Sequence, residues 1–217
     1  AARAILPAML ASPSSPVPRR GFLARLGGTL AALGMPGVAA AAAPPVDPPA
    51  EAWLRKLTGT HKVILHAHLP ADGVAFSWAA NYLDAQRTHY GLQDRDSTVV
   101  IGFQGPALAF LLDDAMWAKY GMASALGVSG PTNPYRRGGP QSIAALQARG
   151  VILLACGNSV ARGASRWVKD APLTAERTRA WADEARAALH PGVEVVPAMV
   201  TTLVMAQERG CRYLFAG

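Results

Sequence analysis

Only two cysteines, Cys156 and Cys211, occur in the 217 residues, and no Cys-x-x-Cys pair is formed. The chain also lacks a Gly-rich phosphate loop and a Gly-x-Ser-x-Gly elbow. These absences count against thioredoxin-type, nucleotide and serine-hydrolase chemistry. Charge is sparse at 16%, with no dense Lys/Arg run beyond Arg136-Arg137. The sequence pI near 9.9 would suit a nucleic-acid partner, but the basic excess is misplaced for that. Residues 1–43 hold Arg3, Arg19, Arg20 and Arg25 and no acid, so more than half of the +7 net charge sits there. No nucleic-acid partner is expected. No internal repeat is visible, and no segment after residue 43 could make a stable membrane span.

What is present begins with an export pattern. Pro18-Arg-Arg-Gly-Phe-Leu23 is a twin-arginine pair followed by apolar residues. A weakly apolar stretch from Leu26 to Ala43 follows, broken by Gly27, Gly28, Gly34, Pro36 and Gly37. It ends in an alanine run suited to signal peptidase. A membrane anchor of that length would hold fewer Gly, Ala and Pro residues. Residues 1–43 are therefore expected to be a Tat signal, engaging the Tat translocase and delivering the chain to the periplasm or another extracytoplasmic space. Because Ala1 is not an initiator methionine, the natural start is expected to differ. Residues 44–49, Pro-Pro-Val-Asp-Pro-Pro, read as a stiff linker, and residues 50–217 as the folded domain.

Strand and helix patterns alternate through that domain. Short apolar runs at Lys62–His66, Ser97–Phe103, Val151–Ala155, Val193–Val196 and Arg212–Ala216 read as strands. The spacing of Val74, Trp78 and Tyr82, with Ala75, Ala79 and Leu83 alongside, predicts a helix from Val74 to Tyr90. Further helices are expected at 50–57, 107–112, 115–120, 142–149, after Asn158, at 173–189 and at 199–208. Residues 127–141, with three prolines and four glycines, form the least regular part, either a functional lid or partner surface or a plain connector. The alternation calls for an α/β fold, a three-layer α/β/α sandwich with a mainly parallel five-stranded sheet. Ligands in such folds bind outside the carboxyl ends of the strands. That edge would carry His68, Gln104, Cys156 and Pro197.

Three features there could carry chemistry. Cys156 lies where an apolar strand meets Gly157-Asn158-Ser159, a turn opening a helix, and helix-end N–H groups favour an anionic sulfur. The other reading is an inert, buried cysteine. A Cys156–Cys211 disulfide is not expected, because one residue ends a strand and the other begins one, roughly 15 Å apart along the sheet, against a limit of about 7 Å. His66 and His68, at i and i+2, share one strand face. With Cys156 they could bind a metal, or they could simply form a polar strand end. Asp113-Asp114 and Asp94-Arg-Asp96 fit capping and turn roles better than acid–base catalysis.

Val99-Val-Ile-Gly-Phe-Gln-Gly-Pro-Ala107, Leu146-Gln-Ala-Arg-Gly-Val-Ile-Leu-Leu-Ala-Cys-Gly-Asn-Ser159, Val193-Glu-Val-Val-Pro-Ala-Met-Val200 and the terminal Gln207–Gly217 resemble the DsrE/DsrF-like (YchN-like) superfamily. Residues 53 to 217 carry the resemblance, and it is nearest to the Tat-exported, uncharacterised branch. It implies a homo-oligomer, trimer or hexamer. It also implies, as in some members, persulfide sulfur carried on the cysteine that Cys156 matches. The expected function is binding or relay of a sulfur species at Cys156, at most a sulfurtransferase-like carrier. His66, His68, Gln104, Gly105, Gly157, Asn158 and Arg162 would line the pocket, with no metal or cofactor. The alternative is a non-catalytic oligomeric ligand-binding or assembly module, with Tyr135, Arg136 and Arg137 in the contact loop.

Overall fold

The computed structural model describes residues 49–217, and the leader and most of the linker lie outside the described residues. A 3-10 helix, Pro49–Lys56, precedes strand β1, His61–Ala67. Then come α1, Val74–Tyr90; β2, Ser97–Phe103; α2, Asp114–Lys119; α3, Met122–Leu126; and α4, Ile143–Ala148. β3, Ile152–Cys156, leads into α5, Gly157–Arg162, and α6, Ala164–Trp167. The chain closes with α7, Ala175–Ala187; β4, Glu194–Val196; α8, Met199–Glu208; and β5, Arg212–Phe215. The five strands pair in the order β4-β3-β2-β1-β5, all parallel. The α/β sandwich expected from the alternation is what forms.

The order explains the layers. From β1 to β4 the chain steps one way across the sheet. It then returns from β4 to β5 on the far side of β1. Right-handed crossovers put α1 and the helices around α7 on one face and α8 on the other. Val63, Leu65, Ile101, Phe103, Leu153 and Ala155 pack against α1, the 105–111 segment and α7. Ile64, Val100, Leu154, Cys156 and Val196 pack against α8 and the first 3-10 helix through Met199, Leu203, Trp53 and Leu54. β2 and β3 are buried on both faces, which is why their sequences are apolar at successive positions.

Two expectations change. The buried stripe of α1 is Ala75, Phe76, Ala79, Ala80 and Leu83, whereas Trp78 is 40% exposed. Three of its five residues are alanine, which lets the helix lie close to the sheet; Val74 and Tyr82 pack at its margin and Trp78 is turned outward. The second change concerns residues 127–141. Asn133 is fully buried and donates from its side-chain amide to the carbonyls of Phe110 and Leu112, at 2.7 Å each. Its side-chain oxygen accepts from the N–H of Tyr135. Tyr135 stacks on Phe76 at a centroid distance of 4.1 Å and donates its hydroxyl to the carbonyl of Asp72. Asn133 and Tyr135 anchor this segment to the body, while residues 137–140 stay exposed.

Candidate functional site

The return crossover makes the carboxyl ends of β1 and β5 the point where the strand order reverses, the place where open α/β sheets bind ligands. His66 stands there. In register with it are Gly102 on β2 and Phe215 on β5. Its Nδ1 lies 3.1 Å from the Tyr213 hydroxyl and its Nε2 lies 3.0 Å from Gln104 Oε1. With that carbonyl oxygen as acceptor, Nε2 carries the proton and Nδ1 accepts from the phenol, which assigns one neutral tautomer. Burial pushes the His66 pKa below its ordinary value, the Gln104 hydrogen bond opposes this, and neighbouring His68 adds to the lowering. His66 is thus a neutral, oriented imidazole at neutral pH.

His68 follows one residue past the strand, its ring centroid 5.9 Å from that of His66. The backbone N–H groups of His68 and Leu69 both donate to the carbonyl of Gly217, at 2.7 Å. Gly105 has φ +58°, and a Cβ there would lie 3.2 Å from the His68 ring, so only glycine fits without strain. The Gly105 N–H donates to Ser159 Oγ at 2.9 Å, joining the ends of β2 and β3.

Cys156 ends β3 on the same sheet face as His66, with Met199 packed over Gly102 of the intervening strand. It is 1% exposed, within the core beneath α8. Its Sγ accepts from the Met199 N–H, at 3.4 Å, in the first turn of α8. Met199 reaches this position because Gly102 has no side chain, and a Cβ at 102 would lie 2.5 Å from the Met199 sulfur. Gly157 is likewise pressed against the carbonyl of Val196, 2.9 Å from where a Cβ would be. His66, His68 and Cys156 are therefore not brought into one ligand set. Among the described residues no three His, Cys, Asp or Glu side chains group to hold a metal.

A polar cleft of about 220 Å³ opens beside these strand ends. Gln104, Gly105, Asn158, Ser159, Arg162 and Arg166 line it, along with Gly163, Ser165 and Trp167. Among the described residues no carboxylate lines it. Arg162 and Arg166 are exposed, and among the described residues neither has an acidic partner in ion-pair range. By contrast, Arg149 at the opposite edge holds Asp94 and Asp84, and Lys119 holds Glu184. Four of the expected residues, Gln104, Gly105, Asn158 and Arg162, thus meet in one cleft, with His66 joined to it through Gln104.

Sequence reasoning missed Tyr213, Ser159, Arg166 and Met199. Arg166 lies four positions after Arg162, a spacing readable from the sequence once the two short helices are placed. Tyr213 had no such signal, because its contact with His66 depends on β5 lying beside β1.

No family model and no curated protein matches the chain. Among solved structures it is similar to a protein of unknown function, MTH1491 from Methanobacterium thermoautotrophicum. That likeness is at 17% identity and a TM-score of 0.39, covering 71% of this chain and 98% of the other.

Proposed function

We propose that this is an exported DsrE-like binding protein that takes a small oxyanion in the cleft at the carboxyl edge of its sheet. The observation that carries the reading is the pair Arg162 and Arg166, two guanidinium groups lining one cleft with no carboxylate in its lining among the described residues. Guanidinium is permanently charged and matches oxyanion geometry with paired donors. Gln104, Asn158 and Ser159 add neutral polar groups within the same lining. His66 stays neutral and sets the orientation of Gln104. A sulfur oxyanion such as thiosulfate or sulfite is the first ligand to try, given the resemblance noted above. The test is thermal unfolding of the full chain with and without thiosulfate, sulfite or inorganic phosphate. A ligand present at about a hundred times its dissociation constant adds about 2.7 kcal/mol. For a domain of this size that raises the midpoint by roughly 5–10 °C. The rise should vanish in Arg162→Ala/Arg166→Ala. A midpoint unmoved by all three anions, or moved equally in the variant, contradicts the proposal.

A second reading keeps Cys156 as a sulfur carrier. It is favoured by the Met199 N–H aimed at Sγ from the head of the ten-residue α8, an arrangement that suits an anionic sulfur. Because the thiol is 1% exposed, loading requires the first turn of α8 to lift. Mass spectrometry after polysulfide treatment should find one added sulfur at Cys156 and none in Cys156→Ala. No adduct would sink this reading while leaving the anion cleft intact.

A further inference from the structure

β5 occupies the edge of the sheet but has the sequence of an interior strand. In parallel sheets, strands covered on both faces read as continuous apolar runs, and edge strands carry charge, proline or a covering element. β4, at the other edge, follows that rule. Its Val196 is buried, its Glu194 pairs with Lys56, and the first 3-10 helix lies against it. β5 does not. Tyr213, Leu214 and Phe215 run in succession at 40, 46 and 50% exposure, and among the described residues β5 pairs with β1 alone.

The exposed apolar surface reaches both faces of the sheet and continues onto α8. Register with β1 places Tyr213 and Phe215 on the α8 face of the sheet and Leu214 on the α1 face. On α8, Val200 and Val204 are 63 and 53% exposed, one helical turn apart. With Met199, Leu203 and Ala206 turned down onto the sheet, the sense of a right-handed helix puts Val200 and Val204 on the flank toward β5. Taking roughly 150–250 Å² for each side chain, these exposed fractions amount to about 500 Å² of apolar surface. That is the upper end of what a monomer displays, and most of the ~800 Å² per partner of a standard interface.

We infer that β5 is the contact of a two-fold assembly, in which β5 of a second copy pairs antiparallel with it and continues the sheet across both molecules. An edge that is apolar on both faces needs a partner with a helical layer on each side of its own edge strand, which an added peptide strand lacks and a second copy has. Pairing centred on Leu214 sets Tyr213 opposite Phe215 of the partner subunit, an aromatic cross-strand pair. It also keeps the two Arg212 charges apart at the ends. The contact is isologous and closes on itself. It also covers the flank of His66, since the rings of Tyr213 and Phe215 lie 6.0 and 5.8 Å from it. The inference does not depend on the anion cleft.

Sedimentation velocity of the full chain from about 1 to about 100 µM, beside Leu214→Lys and Phe215→Lys, tests it. Both side chains are exposed in the single chain, so both variants should keep the far-UV spectrum of the parent. The parent mass should be an even multiple of the chain mass, and it should halve in both variants. The outward amides of β5 should be protected from hydrogen exchange in the parent and exchange freely in the variants. A parent that stays monomeric at the top concentration, an odd multiple, or an assembly that both variants retain overturns the inference.

Discussion

The Tyr213 hydroxyl meets Nδ1 of His66 at 3.1 Å, tying the last strand to the first across 147 positions of sequence. With Gln104 on the other ring nitrogen, the imidazole has a partner on each side and no freedom to turn. This fixed, neutral histidine holds the strand ends from which the cleft is built.

The first prediction concerns pH. The His66 pKa in the folded chain lies below its unfolded value of about 6.5. Below that value the unfolded chain binds the proton more readily, so stability falls as pH drops. The contribution is complete above about 6.5 and is lost downward toward the folded pKa. Unfolding midpoints measured from pH 7.5 down to pH 5 should fall, and the fall should be shallower in His66→Gln. Parallel slopes in the two proteins would remove His66 from the account.

Asn133 should be among the costliest polar positions. Its side chain is the partner that satisfies the buried carbonyls of Phe110 and Leu112. Asn133→Ala leaves both without a donor, a loss of about 2–4 kcal/mol. Denaturant unfolding reads this directly, and a change below about 0.5 kcal/mol would mean that the segment does not need its anchor.

Met199 shields Cys156. Met199→Ala removes the side chain that lies over Gly102 beside the thiol. The expected cost is about 2–4 kcal/mol, together with a faster reaction of Cys156 with a thiol-specific disulfide reagent. The reaction is followed in Cys211→Ser so that one cysteine reports. An unchanged rate would show that access to the sulfur runs by another route.

These outcomes follow from features that the sequence revealed unevenly. The strands were readable because β2 and β3 are unbroken apolar runs, and the helix at 74–90 ends at Gly91 in a left-handed turn, φ +70°. The rim residues Gln104 and Asn158 followed from the strand ends. The direction of the Cys156 sulfur did not, because a strand buried on both faces has no polar alternation to mark which side a residue takes. In α1 the row of Ala75, Ala79 and Leu83 is buried as its spacing indicates, whereas Trp78 is exposed, because alanines bury without a strong apolar signal and the large residues alone do not mark the buried side. The 127–141 segment looked irregular because its order rests on one asparagine and one tyrosine rather than on a periodic pattern.

Calorimetric titration of thiosulfate into the full chain, repeated at low and high salt, tests the central claim most directly. One site per chain is expected, with affinity weakening as salt rises because the two guanidinium groups are exposed. Arg166→Ala alone should lower that affinity by about tenfold or more, the ~1.5–3 kcal/mol worth of hydrogen bonds to a charged group. Heat equal to dilution, or a binding curve that Arg162→Ala and Arg166→Ala both leave unchanged, would contradict the assignment of the cleft as the binding site.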